Sequence, residues 1–355
     1  MYEILLRLPA KLLCRLRAVC RPWRALLSDP QFAAAHSARN PDPLIVAGYA
    51  ENEGNGMIVD IMDMSGQIVK RVRQVEGSDR VMSMELDLVF VKNVDSGHYR
   101  FLNPATGAVY HLPDGFAEEN VAFGVNQITE PKFILGQVPS TGEYKLTCQL
   151  LEVCTLNSSS HSGWRKKEIP GDDVSFCNLT RLVIDGIVYF LCSDTHHSVT
   201  FKDQVIEEDL IITFDLKTEA WGPRIRGPPI SFSNNTVQMF DNIGRPIIKQ
   251  LTLAHLNGSL VVVHGPAPYM DFWILTDFDK GFWVKQYSIQ FEQYGHLMPV
   301  HPLLVLGDGR VLIHKIDNRF LQVYDPSTKN FTNSVEWTHY SAISTYAGNL
   351  LSLDR

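Results

Sequence analysis

The sequence predicts a mainly β protein, in which a short α-helical segment (residues 1–40) precedes a six-bladed β-propeller (residues 44–355). Three observations predict it. Apolar residues recur at helical spacing over residues 2–32, around a proline. From Leu44 that period disappears, and short apolar runs alternate with turn residues, the mark of strands. One turn signature then recurs six times at a spacing of roughly 50 residues, a repeat length found in propeller blades and solenoids.

The helical segment comes first. Ile4, Leu5 and Leu8 form one short apolar face, which Pro9 ends because proline cannot donate to the helix ladder. Leu12, Leu13, Leu16, Val19, Cys20 and Trp23 follow at i, i+3/i+4, i+7 spacing and predict a second helix. Asp29-Pro30 is expected to stop the pattern. Helices totalling about 30 residues cannot bury a core alone, so this face needs a partner.

These residues carry a resemblance. Glu3-Ile4-Leu5-Leu6-Arg7-Leu8-Pro9, Lys11-x-Leu13 and above all Val19-Cys20-Arg21-x-Trp23-Arg24-x-Leu26 resemble an F-box. Ser28-Asp29-Pro30-x-Phe32 and His36 continue it as in plant members. The F-box plugs a substrate receptor into a cullin-based ubiquitin ligase. The resemblance therefore implies that Ile4, Leu5, Leu8, Pro9, Leu12, Leu13, Val19, Cys20 and Trp23 grip a Skp-family adaptor and, through it, a cullin. F-boxes usually open with a further Leu-Pro-x-x-Leu-type turn, whereas this chain begins at Met1. The F-box is thus expected to be incomplete at its start: either the sequence is truncated there, or the adaptor is held weakly. An ordinary amphipathic hairpin packed on the next domain is the alternative.

In the body, apolar strands are expected at 44–49, 86–91, 132–138, 186–191, 258–264 and 309–316. Each is followed by a turn: Asp63-Met64-Ser65-Gly66, Asn103-Pro104-Ala105-Thr106-Gly107, residues 156–164, 215–221, 277–283 and 325–331. Asp or Asn accepts from nearby backbone N–H groups, Pro fixes φ at the first corner, and Gly takes positive φ. Trp164, Trp221 and Trp283 re-enter the sheet after three of these turns, a repeated position that predicts a structural role over an aromatic ligand platform. Four strands per unit fit the spacing. Residues 340–346 and 350–353 follow the sixth turn and are expected to add a strand to the first blade, closing the ring and removing its exposed edges.

With no Gly-Gly doublet for a kelch repeat and no Trp-Asp dipeptide for a WD repeat, other propeller families fit less well. The layout resembles the F-box-associated domain that follows many plant F-boxes. The resemblance rests on Phe101-Leu102-Asn103-Pro104-Ala105-Thr106-Gly107 with Leu112-Pro113, on Phe272-Trp273-Ile274-Leu275, and on Val323-Tyr324-Asp325-Pro326-x-Thr328. It covers nearly all of the chain after Pro43. A two-sheet β-sandwich is the runner-up, disfavoured by six turn marks.

Charge and chemistry narrow the function. The first 24 residues carry +5 against −7 for the chain, which leaves −12 on the remainder. A basic head on an acidic body argues against nucleic-acid binding and suits an acidic protein partner. Apolar runs fall short of the ~18 residues of a membrane span, and the N-terminus lacks a secretory profile. The six cysteines (14, 20, 148, 154, 177 and 192) include no CxxC pair, so neither zinc nor a disulfide framework is expected, and the chain reads as intracellular and reduced. Cys148 and Cys154, an even number apart, are expected to share a strand face as apolar fillers.

His196-His197 point oppositely on an extended chain and make a poor metal site; Asp172-Asp173 and Glu207-Glu208-Asp209 are expected to face water. Nucleophile-elbow, P-loop and zincin motifs are all missing. No catalytic, cofactor-binding or metal-binding residue is therefore expected, and no cofactor. Residues 195–209, 266–271 and 291–299 break the repeat and are the candidate binding loops. The expected function is that of a non-catalytic substrate receptor in a Skp–cullin–F-box ubiquitin ligase, with an unknown protein target. The alternative is a stand-alone propeller that binds a protein or a glycan and carries an inert remnant F-box.

Overall fold

The computed structural model describes residues 2–8, 12–13, 16–39, 43–50, 56–74, 78–104, 107–113, 133–148, 152–156, 163–168, 180–191, 211–230, 250–265, 269–290, 300–315, 320–336 and 340–346. The head contains helices α1 (Tyr2–Leu5), α2 (Arg21–Leu27) and α3 (Pro30–Arg39). The stripe expected to run from Leu12 to Trp23 breaks at Cys20, whose backbone is extended (φ −159, ψ 163). Pro22 has no N–H to give to the preceding turn, so the helix restarts with proline in its first turn, where none is required.

Asp29-Pro30 proves to be a start rather than a stop. Asp29 Oδ1 accepts the N–H of Gln31 at 2.7 Å and Pro30 opens α3, the pairing of polar cap and first-turn proline that begins helices. Leu5, Leu6, Leu13, Leu27 and Phe32 form the buried centre of the head, with Leu8, Leu16, Trp23 and Leu26 packed around it. A His36 ring nitrogen bonds to the Leu8 carbonyl at 2.9 Å, and Arg39 pairs with Glu3 at 2.6 Å, which ties α3 back to the first turn.

The body is six four-stranded antiparallel sheets. Blade 1 holds β1 (Leu44–Ala50), β2 (Met57–Met62) and β3 (Ile68–Gln74), plus β24 (Ala342–Tyr346). Blade 2 is β4 (Asp79–Glu85), β5 (Leu88–Asn93), β6 (Tyr99–Leu102) and β7 (Val109–His111). Blade 3 is β8 (Phe133–Gln137), β9 (Tyr144–Cys148), β10 (Glu152–Leu156) and β11 (Arg165–Lys166). Blade 4 is β12 (Arg181–Ile184), β13 (Ile187–Leu191), β14 (Ile211–Asp215) and β15 (Ala220–Trp221). Blade 5 is β16 (Gln250–Leu256), β17 (Ser259–Gly265), β18 (Tyr269–Asp277) and β19 (Phe282–Gln290). Blade 6 is β20 (Val300–Val305), β21 (Val311–Lys315), β22 (Phe320–Asp325) and β23 (Asn330–Glu336). Inner strands of neighbouring blades touch, β8 with β12, β12 with β16 and β16 with β20, and β24 takes that place in blade 1 against β4 and β20. The expected six-bladed propeller is the observed fold.

Strand alternation explains the packing. Each blade turns one apolar face to the blade before it and the other to the blade after, so the body has one hydrophobic cluster per seam. In the seam between blades 3 and 4, for example, Ile134 and Val153 meet Val188, Phe190, Ile212 and Phe214. All six turn signatures join the third strand of a blade to its fourth. One expected strand was out of phase: residues 132–138 correspond to the inner strand of blade 3, whereas the other five expected strands are the second of their blades. Cys148 and Cys154 lie on neighbouring strands, not on one, and reach the same cluster because Cys154 pairs with Leu146, two residues from Cys148. Burial pushes the Cys154 thiol up to about 12.

The ring closes through residues 342–346, as the sequence predicts for 340–346, while residues 350–353 lie outside the described residues. β24 pairs antiparallel with β1, from Leu44 opposite Tyr346 to Gly48 opposite Ala342. Buried Asp60 on β2 holds Arg71 of β3 through two bonds, 2.6 and 2.7 Å, and accepts the Tyr340 O–H at 3.0 Å just before β24. Ser334 Oγ of blade 6 donates to the Met64 carbonyl of blade 1 at 2.7 Å. Removing residues 338–355 should therefore expose both β1 and the blade 6 surface. A drop of more than about 10 °C in the thermal midpoint is expected, since several kcal/mol of packing is lost. An unchanged midpoint would show that closure adds nothing to stability.

Candidate functional site

Antiparallel alternation gives the ring two unlike faces. On one face, the turn face, connections run from two residues (86–87, 185–186, 257–258) to eight (157–164). The two-residue hairpins have positive φ at both positions, 50° and 79° at Asp185-Gly186 and 50° and 78° at Asn257-Gly258, as a type I′ turn requires. The opposite, loop face receives the long connections, including residues 112–132, 192–210 and 222–249. The head joins the turn face, because β1 begins at Leu44 beside Tyr346, the last residue of β24.

The three candidate binding loops join strand ends on the loop face: Leu191 and Ile211, Gly265 and Tyr269, Gln290 and Val300. Of the loops themselves, only 269–271 fall among the described residues, and His196-His197, Asp172-Asp173 and Glu207-Glu208-Asp209 lie outside them. The propeller's interior is also more polar toward this face. Thr147 Oγ1, Thr252 Oγ1, Asp271 Oδ1, His301 Nδ1 and Gln322 Oε1 are buried without hydrogen-bond partners among the described residues, and each sits in the loop-face half of its strand; Trp273 Nε1, likewise unpartnered, lies at the middle of β18. Such atoms cost about 1–3 kcal/mol each, a cost that sequence patterns do not reveal.

On the head, the expected adaptor residues divide. Leu5 and Leu13 are buried in the head's own core, and Leu8 and Trp23 are half-buried against it. Ile4 is 66% exposed, Val19 65% and Leu12 40%, and Cys20 is exposed as a free thiol. Pro9 lies outside the described residues. Arg7, Arg21 and Arg24 are exposed as well, so the head's surface carries basic side chains along with apolar ones. The break at Cys20 that turns Val19 outward was detectable from Pro22.

The tryptophans tie blades together. Trp164 Nε1 donates to the Pro113 carbonyl at 3.2 Å, Trp221 to Glu168 at 2.6 Å and Trp283 to Arg226 at 2.7 Å. In each case an indole beside or on the outer strand of one blade caps a carbonyl just past the outer strand of the blade before it, 51, 53 or 57 residues upstream. Gly281, at φ 59°, lets the turn before Trp283 lie close to Arg226; a Cβ there would stand 3.0 Å from Arg226 Cβ. Glu219 adds a charged tie between blades 3 and 4, meeting Arg165 at 2.5 Å, and Lys145 and Lys167 at 2.9 Å each. Although burial opposes it, these three cations hold the Glu219 carboxyl down at about 2. Among the described residues, no group of three or more His, Cys, Asp or Glu side chains could hold a metal ion, and no helix is long and apolar enough to cross a membrane.

A helical head on a six-bladed ring agrees with comparison to known families. The model of the F-box associated β-propeller domain matches residues 70–341, and that of the F-box domain matches residues 1–34. The chain belongs to the F-box associated β-propeller family. F-box protein CPR1 of Arabidopsis thaliana is 21% identical over 351 residues, covering 93% of this chain and 82% of that protein. F-box protein At5g49610 of the same plant is 21% identical over 327 residues, with 86% and 82% covered. Among solved structures, a chain of a nidogen/laminin complex shares 9% identity at a TM-score of 0.42, covering 85% of this chain and 97% of that one.

In this F-box associated propeller, Trp221→Phe keeps the ring but removes the indole donor. It should cost about 1–2 kcal/mol in denaturant unfolding; a change within about 0.3 kcal/mol would reduce the indole bond to an incidental contact. Glu219→Gln tests the charged tie. Because the folded carboxyl sits below its ordinary value, its contribution is present above pH ~4.5 and fades as pH falls toward about 2. The wild-type advantage over Glu219→Gln, about 1–2 kcal/mol after allowing for screening at the rim, should shrink over that window. A pH-independent difference would count against the ion tie.

Proposed function

We propose that the chain is the substrate-recognition subunit of a Skp–cullin–F-box ubiquitin ligase. The observation that carries this is the two-ended layout: a head with exposed apolar side chains joins one face of the ring, and the long connections emerge from the other. The head docks on a Skp-family adaptor through Ile4, Leu12 and Val19, with Leu5, Leu8, Leu13 and Trp23 setting their positions from the head's core. Pro9 and Cys20 complete the contact. The loop face holds a protein to be ubiquitylated. The subunit does no covalent chemistry of its own; it raises the effective concentration of its target near the conjugating enzyme. Its place is inside the cell, where that machinery operates.

The exposure pattern selects the test. Trp23→Ala would empty part of the head's core and confuse folding with docking. Ile4→Asp and Val19→Asp change exposed positions. With purified full-length chain and a Skp-family adaptor, each should weaken binding at least about tenfold while the helical circular dichroism stays unchanged, since apolar hot spots carry most interface energy. Undiminished binding by both variants would refute the docking surface. A wild-type chain that binds no adaptor would leave the head inert and the propeller a stand-alone binder.

A further inference from the structure

Blade 5 holds an indole ring, a carboxylate and an ammonium together, and a bulge in its outer strand puts them there. β18 and β19 pair Phe272 with Tyr287 and then Trp273 with Lys285, so Gln286 is an extra residue on β19. An unbroken ladder would set Gln286 opposite Trp273; the bulge sets Lys285 there instead. Lys285 Nζ stands 5.3 Å from the centre of the Trp273 ring and donates to Asp271 Oδ2 at 3.2 Å. Asp271 and Trp273 alternate with Phe272 along β18 and so share one sheet face. A ring face beside a carboxylate attracts a cation through the ring quadrupole and the negative charge together.

Lysine matches this seat only in part. Lys285 bonds one carboxylate oxygen, and Asp271 Oδ1 is enclosed with no hydrogen-bond partner. An ammonium is a point charge, whereas a guanidinium is a planar fork that bonds both oxygens of a carboxylate and stacks on an aromatic ring. The Lys285 side chain is 45% exposed against 17% for Asp271, and an ion pair so open to water holds its lysine weakly. His264 on β17 and Ser288 on β19 oppose Asp271. Blade 4 faces this side with apolar Leu191, Ile211, Ile225 and Ile230, and exposed Arg224 and Arg226 flank Ile225. Asp271 is also the last residue of a candidate binding loop, 266–271, and Tyr269 of that loop is exposed.

We propose that Trp273 and Asp271 form a seat for an arginine side chain of the target, which Lys285 fills in the free protein and vacates when the target docks. The inference rests on the loop face being the surface that holds the target, and it adds the chemical class of one target residue. The guanidinium bonds both Asp271 oxygens and stacks on Trp273, the displaced ammonium turns to water, and the −12 carried by the chain after residue 24 favours the approach of a cation.

Acetyl-arginine amide and acetyl-lysine amide, titrated into the full chain without adaptor, test the seat independently of the head. The Trp273 indole N–H resonance, assigned with Trp273→Phe, reads binding. A saturable shift is expected with the arginine probe, at an affinity at least about fivefold above that of the lysine probe. Lys285→Ala should tighten arginine binding at least about fivefold, and Asp271→Asn should weaken it at least about tenfold. Equal affinity for the two probes, no saturable shift in Lys285→Ala, or an Asp271→Asn variant that binds as the wild type does would overturn the proposal. Should Asp271→Asn not fold, the gain in Lys285→Ala, a change at an exposed position, still decides. A chain that binds its adaptor but not the arginine probe would keep the receptor reading and lose the seat.

Discussion

Everything in the body depends on the pairing of β24 with β1. A blade buries its two faces only against neighbours, so an open row of six would leave two apolar faces in water. β24 removes both ends at once, completing the first blade and giving the sixth blade a surface to pack on. The polar groups placed at this joint fit that role. Asp60 is wholly buried yet satisfied by Arg71 and Tyr340, so it fixes the register of the closing strand. Desolvation and Asp60 together push the Tyr340 hydroxyl above the usual tyrosine range, which keeps it a donor.

The same alternation that closes the ring sorts function by face. Tight turns need particular residues at particular φ, which leaves that face little freedom to vary. Connections on the opposite face carry no such constraint, and they lead from strand halves where buried polar atoms go unpaired. A scaffold stiffened at its rim by indole and carboxylate ties can tolerate such local cost.

Much of the fold was legible because it repeats. The Asp- or Asn-led turn is the local chemistry of one connection, third strand to fourth, so six copies gave the number of blades. Blade 3 slipped in phase because its first strand, Phe133–Gln137, is as apolar as the second strands elsewhere. Asp185-Gly186 and Asn257-Gly258 are type I′ signals that would have located the inner hairpins, whereas Leu86-Asp87, with φ of 49° and 63°, has no such sequence mark. In the head, periodicity located the apolar side chains but could not say which of them face inward. Leu5 and Leu13 turn in while Ile4 and Val19 turn out, a choice made by the break at Cys20 and the packing of Phe32. Ties such as Trp221 to Glu168 span dozens of residues and leave no local pattern to read.

Closure by the last strand also sets a clock on synthesis. Tyr340 follows Asp60 by 280 residues, so at ordinary rates of translation a ribosome needs roughly 15 to 60 s between them. Throughout that interval β1, the apolar run Leu44–Ala50, is finished on one edge only and presents an unpaired row of backbone groups. The nascent chain thus carries a half-finished first blade through that interval, until the ring's own final strand arrives to occupy the edge.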